Sequence, residues 1–122
     1  MTGGVAGAYR VARVKKVLVV DDEKEIRNVV AGMVRAIGCS VAVAGDRRSA
    51  MELWRAENFE VAVIDYVMPD GSGAELAEQL LAEKPSLRVI LTSGMTEDNV
   101  DVPRGAAFLG KPFTAADLHA LI

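Results

Sequence analysis

One cysteine, one histidine, four prolines and an aromatic share of 5% are all this chain has of its rarer residues. Each scarcity excludes something. Cys39 alone cannot form an internal disulfide, and with His119 as the single imidazole the usual closed structural zinc site cannot be assembled. Such cysteine usage fits a reducing, cytoplasmic setting. A basic excess is missing as well: 17 acidic residues face 14 basic ones, for a formal net charge of −3. That balance argues against a domain that holds a nucleic-acid backbone directly. No apolar run approaches the roughly 18 residues of a membrane helix, so no membrane partner is expected. The opening MTGGVAGAYRVARVKK lacks the apolar stretch of a signal peptide.

What is present is 122 residues, 51% of them hydrophobic. That is enough for one domain with its own core. Residues 1–15, small and Gly-rich and then basic, show no period and read as a flexible lead-in to a folded domain over 16–122. KVLVV (Lys16–Val20) is short, continuous and β-branched, as in a strand buried on both faces. Ile26, Val29, Val30, Met33, Val34 and Ile37 then recur at helical spacing, up to the stop signal Gly38. SVAVA (Ser40–Ala44) reads as a strand. Asp46 reads as the cap of a helix with Ala50, Leu53 and Trp54 on its buried side. VAVID (Val61–Asp65) is a third strand, followed by a loop through Pro69, Asp70, Gly71 and Gly73. A helix with Leu76, Leu80 and Leu81 stops at Pro85, and RVILT (Arg88–Thr92) is a fourth strand. Between Ser93 and Gly105 the chain is polar, contains Pro103 and leaves room for little more than two helical turns. AAFL (Ala106–Leu109) is a fifth strand, and a last helix begins near Thr114. Strands alternating with helices imply an α/β fold, a parallel sheet covered on both faces, with ligands at the carboxyl ends of its strands.

Those ends carry the chemistry. Strand one leads into Asp21 and Asp22, strand three ends in Asp65, strand four in Thr92 and Ser93, and strand five leads to Lys111 and Pro112. Three carboxylates at one edge repel one another unless a cation joins them. An all-oxygen set favours a hard ion, and Mg²⁺ fits best because it leaves positions for phosphate oxygens. Plainer readings stand beside this one. Asp22 alone reads more readily as a helix cap. Ser93 could bond to backbone, Lys111 could be a surface lysine, and Phe108 could be core. Asp65 resists such a reading, because a carboxylate closing an apolar strand needs a partner.

Taken in order, VLVVDDE, VAVIDYVMPDGSG, VILTSG and FLGKPF resemble the receiver (response regulator) domain of two-component signalling over Lys16–Ile122. Receivers attached to hybrid sensor histidine kinases are the nearest in flavour. The resemblance implies a flavodoxin-like doubly wound sheet of five parallel strands in the order 2-1-3-4-5. It implies that Asp65 accepts a phosphoryl group. Asp21, Asp22, Asp65 and the backbone carbonyl at Val67 would hold Mg²⁺. Ser93 would bond a phosphoryl oxygen, with Thr92 as the alternative, and Lys111 would pair with the phosphorylated aspartate. The bond before Pro112 is expected to be cis. Ser93 and Phe108 would form the switch, with Phe108 in place of the commoner tyrosine and so without a hydroxyl to bond. The donor would be a histidine kinase or a phosphotransfer protein, met through the first helix near Arg27, Val30 and Val34. Such a module catalyses only its own aspartyl phosphorylation and dephosphorylation. A linked kinase or effector domain would lie outside this chain.

Two departures stand out. The stretch between Ser93 and Ala106 is short for a receiver, so the fourth helix is expected as a turn or loop, which bears on the output face. Tyr66, directly after the acceptor, is bulky enough to alter the lifetime of a phosphorylated form. A phosphohydrolase with an aspartyl nucleophile would need an acid two residues after Asp65, where Val67 stands. No Walker-type phosphate loop is present, so an outside phosphodonor is needed. The remaining alternative is a degenerate receiver that binds partners without phosphorylation. Cys39 reads as a small buried apolar residue at the start of a strand, and His119 as a solvated helix position.

Overall fold

The computed structural model describes residues 14–122. The lead-in expected over residues 1–15 falls outside the described residues, except for Val14 and Lys15. The elements run β1 (Lys16–Val20), α1 (Lys24–Ala36), β2 (Ser40–Ala44), α2 (Arg47–Ala56) and β3 (Val61–Asp65). A hairpin of β4 (Val67–Met68) and β5 (Gly71–Ser72) leads to α3 (Gly73–Glu83). Then come β6 (Arg88–Ser93), a 3₁₀ turn (Glu97–Asn99), β7 (Ala106–Gly110) and α4 (Ala115–Leu121).

The main sheet has five strands in the order β2-β1-β3-β6-β7, every pairing parallel. Numbered within that sheet alone, the order is the expected 2-1-3-4-5. Strand alternation divides the core in two. Leu18, Val20, Ala62, Ile64, Val89 and Leu91 face α2 and α3 in one apolar cluster. Val17, Val19, Val61, Val63 and Ile90 face α1 and α4 in the other. β3 lies fully buried between β1 and β6, and it is β3 that carries Asp65.

Local signals account for most boundaries. Asp46 caps α2 by accepting from the Ser49 N–H at 2.8 Å, as expected. Ser72 with Glu75, and Thr114 with Asp117, form capping boxes on α3 and α4. α1 ends before Gly38, whose φ of 99° only glycine adopts freely. α1 starts differently from the capping reading of Asp22. Its N-cap is Glu23, with no side-chain cap bond, and Asp22 is exposed. The loop expected after Asp65 is a two-stranded hairpin. Cys39 lies ahead of β2 rather than inside it, and is half-buried rather than buried. Where a fourth helix would follow Ser93, the chain makes one 3₁₀ turn, tucks Val100 into the protein and reaches β7 through Gly105 at φ 93°. Among the described residues no helix is long and apolar enough to cross a membrane.

Candidate functional site

Parallel strands in this order bring the carboxyl ends of β1, β3, β6 and the segment after β7 to one edge. Register pairs Asp65 with Thr92 and Ser93 with Gly110. Asp21, Asp22 and Asp65 offer carboxylate oxygens within 4.8 Å of one another, the one such cluster of potential metal ligands among the described residues. Asp21 and Asp65 are 3% and 5% exposed, whereas Asp22 opens to solvent. The Lys111 ammonium bridges the two buried acids, 3.1 Å from Asp21 Oδ2 and 3.4 Å from Asp65 Oδ1.

Asp21 is held on several sides. Its Oδ1 accepts from the Glu23 N–H at 2.9 Å, and its carbonyl accepts from the Arg27 guanidinium at 2.8 Å. Arg27 reaches that carbonyl across Gly45, where a β-carbon would come within 2.9 Å of the guanidinium.

Burial pushes the Asp65 carboxyl up to about 6. Lys111 pulls it down, Asp21 raises it further, and a hydrogen bond from the Val67 backbone N–H lowers it. For Lys111, burial works against the ammonium, but Asp65 and Asp21 together outweigh it and the net shift is upward. Three carboxylates against one ammonium leave the pocket short of positive charge. Oxygen donors alone, two of them on buried carboxylates, suit a hard divalent cation.

The neighbouring residues divide by location. Ser93 is buried at the pocket's wall, where its hydroxyl accepts from the Met95 N–H at 3.0 Å, and the Lys111 N–H donates to its carbonyl at 2.7 Å. Thr92 is equally buried, and its carbonyl receives the Tyr66 N–H at 2.8 Å. Val67 turns its side chain outward, 59% exposed. The Lys111–Pro112 peptide is cis. Phe108 is half-buried on the edge strand β7, in neither apolar cluster, so the plain core reading does not describe it. His119 is exposed on α4, away from the acids.

A groove of about 550 Å³ runs beside the pocket, between α1 and the segment after β7, lined by Ile26, Val29, Val30, Met33, Pro112 and Phe113 with Lys111 at its end. Of the α1 residues expected near a partner, Val30 lines this groove and Arg27 turns to Asp21. Val30 and Val34 are 4% and 0% exposed, because that stripe packs on the sheet, and Arg27 is engaged with Asp21. Val29, 58% exposed, takes the outward position. Sequence reasoning also missed Arg27 on the Asp21 carbonyl and the Val67 N–H on Asp65. Both depend on backbone groups that no residue type announces.

Known proteins of the same architecture carry sequences related to this one. The chain is 33% identical over 106 residues to TcrX of Mycobacterium tuberculosis, with 84% of the chain and 45% of TcrX covered. It is 30% identical over 108 residues to the response regulator receiver protein CpdR of Brucella abortus, with 85% and 90% covered. The chain thus spans nearly all of one relative and under half of the other. Among solved structures, a response regulator receiver domain protein from Clostridium thermocellum superposes with a TM-score of 0.79 at 26% identity, covering 88% of this chain and 90% of that one. The receiver domain of the hybrid histidine kinase CckA superposes at 0.72 with 26% identity, covering 86% and 93%. The family described as response regulator receiver domain matches residues 17–122, and with that span the chain belongs to the receiver domains of two-component signalling.

Proposed function

We propose that this chain is a phosphoacceptor: Asp65 takes a phosphoryl group from a phosphohistidine of a histidine kinase or phosphotransfer protein, and the acyl phosphate changes how the domain meets its next partner. One observation carries the reading. The buried Asp65 carboxylate shares a lysine with Asp21, and its oxygens lie within 4.8 Å of those of Asp21 and Asp22, a net-negative arrangement that favours a divalent cation, which would in turn offset the charge of an incoming phosphoryl group.

In the transfer, an Asp65 oxygen forms the bond to phosphorus as the bond from phosphorus to the donor imidazole breaks, and the imidazole leaves with the electron pair. Asp21, Asp22, Asp65 and the Val67 carbonyl would hold Mg²⁺, which supplies charge neutralisation for the transferred oxygens. Lys111 sits beside Asp65, so it need not travel to meet those oxygens. The Ser93 hydroxyl would exchange its bond with the Met95 N–H for one with a phosphoryl oxygen, and that exchange pulls on the segment leading into the 3₁₀ turn. Phe108 on β7, paired with Leu91 of the strand that ends in Ser93, would report that movement. Val67 stands where a phosphohydrolase would place its general acid, so turnover of an outside substrate is not supported. The apolar groove along α1, ending at Lys111, is where a helical donor in the cytoplasm would bring its histidine to the pocket.

Chemical stability of the product tests the assignment. After transfer from a kinase phosphohistidine, label on Asp65 is released by hydroxylamine and by mild alkali, as for an acyl phosphate. Label that survives both treatments, as phosphoserine would against hydroxylamine, contradicts it.

A further inference from the structure

The hairpin after Asp65 is held at both ends. At its neck the Gly73 N–H donates to the Tyr66 carbonyl at 2.7 Å, and Met68 is buried in the core. At its tip the two oxygens of Asp70 accept separately from the first two backbone N–H groups of α2: Oδ1 from Arg47 at 3.0 Å and Oδ2 from Arg48 at 3.2 Å. α2 already has its own cap in Asp46, which serves the Ser49 N–H. Asp70 therefore adds acceptors from a different part of the chain to donors that the helix leaves free. The Arg47 side chain returns over the same hairpin. It donates to Gln79 Oε1 at 3.0 Å, lies 3.7 Å from Glu75 Oε1, and would touch a β-carbon at Gly71 at 3.4 Å.

Between neck and tip lies Val67, whose side chain is mostly in solvent and so is not fixed by packing. Its backbone is fixed instead through the hairpin, where Val67, two residues past Asp65, pairs with Ser72. We infer that Asp70 is a positioning residue: by clamping the hairpin tip to the start of α2, it keeps the Val67 backbone where it serves Asp65 and the cation. The inference rests on the proposed function, and it adds a part of the molecule, α2, to the control of cation affinity. Outer-sphere contacts of this kind act on affinity because a ligand free to wander must be ordered anew on each binding event.

Two readouts on the full chain test it. Titration of Mg²⁺ into Asp70→Ala by calorimetry should show affinity about tenfold weaker than wild type. Asp70→Asn, which retains one acceptor, should fall between them. Amide hydrogen exchange followed by NMR should show the Val67 N–H less protected in Asp70→Ala, while the amides of β1 and β3 stay as in wild type. Wild-type Mg²⁺ affinity in Asp70→Ala with a lowered melting temperature would make Asp70 a helix cap alone and overturn the inference. If the alanine variant does not fold, unchanged Mg²⁺ affinity and Val67 protection in Asp70→Asn overturn it as well. Should wild type and Asp22→Asn both ignore Mg²⁺, the cation reading fails, and Val67 exchange still decides whether Asp70 holds the hairpin.

Discussion

Lys111 Nζ lies 3.4 Å from Asp65 Oδ1 in a pocket where the two side chains are 18% and 7% exposed. The same nitrogen serves Asp21, so one ammonium is shared by two buried acids. Removing one partner of a buried pair leaves the other charge uncompensated, which costs more than the pair contributed. Lys111→Met should therefore destabilise the protein by about 3 kcal/mol at pH 7. The loss should shrink as the pH falls and Asp65 takes up a proton. Urea unfolding at both pH values checks this, and an equal loss at each would contradict it.

Asp65 has the opposite effect on stability. Its folded pKa of about 6 exceeds the ordinary 3.8, so the native state holds the proton more tightly than the unfolded chain. Stability then falls as the pH rises through that window and levels off above it. Asp65→Asn removes the cost of ionising a buried carboxyl. It should be more stable than wild type at pH 7 by about 3 kcal/mol, with the gap closing toward pH 4. Lys111, with its folded pKa raised, contributes stability that is fully present below its ordinary 10.5 and is lost as the pH climbs beyond the folded value. Denaturant midpoints across the pH range report both effects.

Gly73 and Gly32 make a matched pair. A β-carbon on Gly73 would stand 2.0 Å from the Asp65 carbonyl oxygen, a backbone atom that cannot step aside, whereas one on Gly32 meets nothing within 4 Å. Gly73→Ala should cost about 3 kcal/mol, at the upper end of overpacking penalties. Gly32→Ala, within α1, should gain about 1 kcal/mol from helix propensity. Thermal melts of the two variants should move in opposite directions.

Tyr66 joins β3 to the short segment after Ser93, packing against the core with its hydroxyl 3.4 Å from the Asp101 N–H. Tyr66→Phe should change stability by no more than about 1 kcal/mol while exposing the Asp101 amide to exchange. Tyr66→Ala, which removes the packed ring directly after Asp65, should change the rates of phosphoryl gain and loss. Unaltered rates in the alanine variant would remove Tyr66 from any role at the site.

The strands and helices were legible because each carries a period: continuous apolar runs for buried parallel strands, threefold and fourfold spacing for amphipathic helices. Asp21, Asp22, Asp65, Ser93 and Lys111 were legible as a group because a parallel sheet sends strand ends to one edge, and four motifs in order identify the family. The short segment before β7 was legible as a scarcity of residues. Hidden from the sequence was whatever depends on a side chain meeting a distant backbone group. Arg27 on the Asp21 carbonyl is one case, and Asp70 on two helix N–H groups is another. Val29, read as part of the apolar stripe of α1, is 58% exposed, because an amphipathic stripe does not mark where burial against the sheet stops. Asp22 kept two readings, helix cap and cation ligand, because the residue type suits both, and the N-cap of α1 is Glu23.

Phosphoryl uptake from a small-molecule donor decides whether Asp65 is the acceptor. Intact-protein mass is measured after incubation with acetyl phosphate, with and without Mg²⁺, for wild type and Asp65→Asn. One added phosphoryl group is expected on wild type only when Mg²⁺ is present, and none on Asp65→Asn. Uptake by Asp65→Asn equal to wild type, or no uptake by wild type with several donors and rapid quenching, would contradict that role.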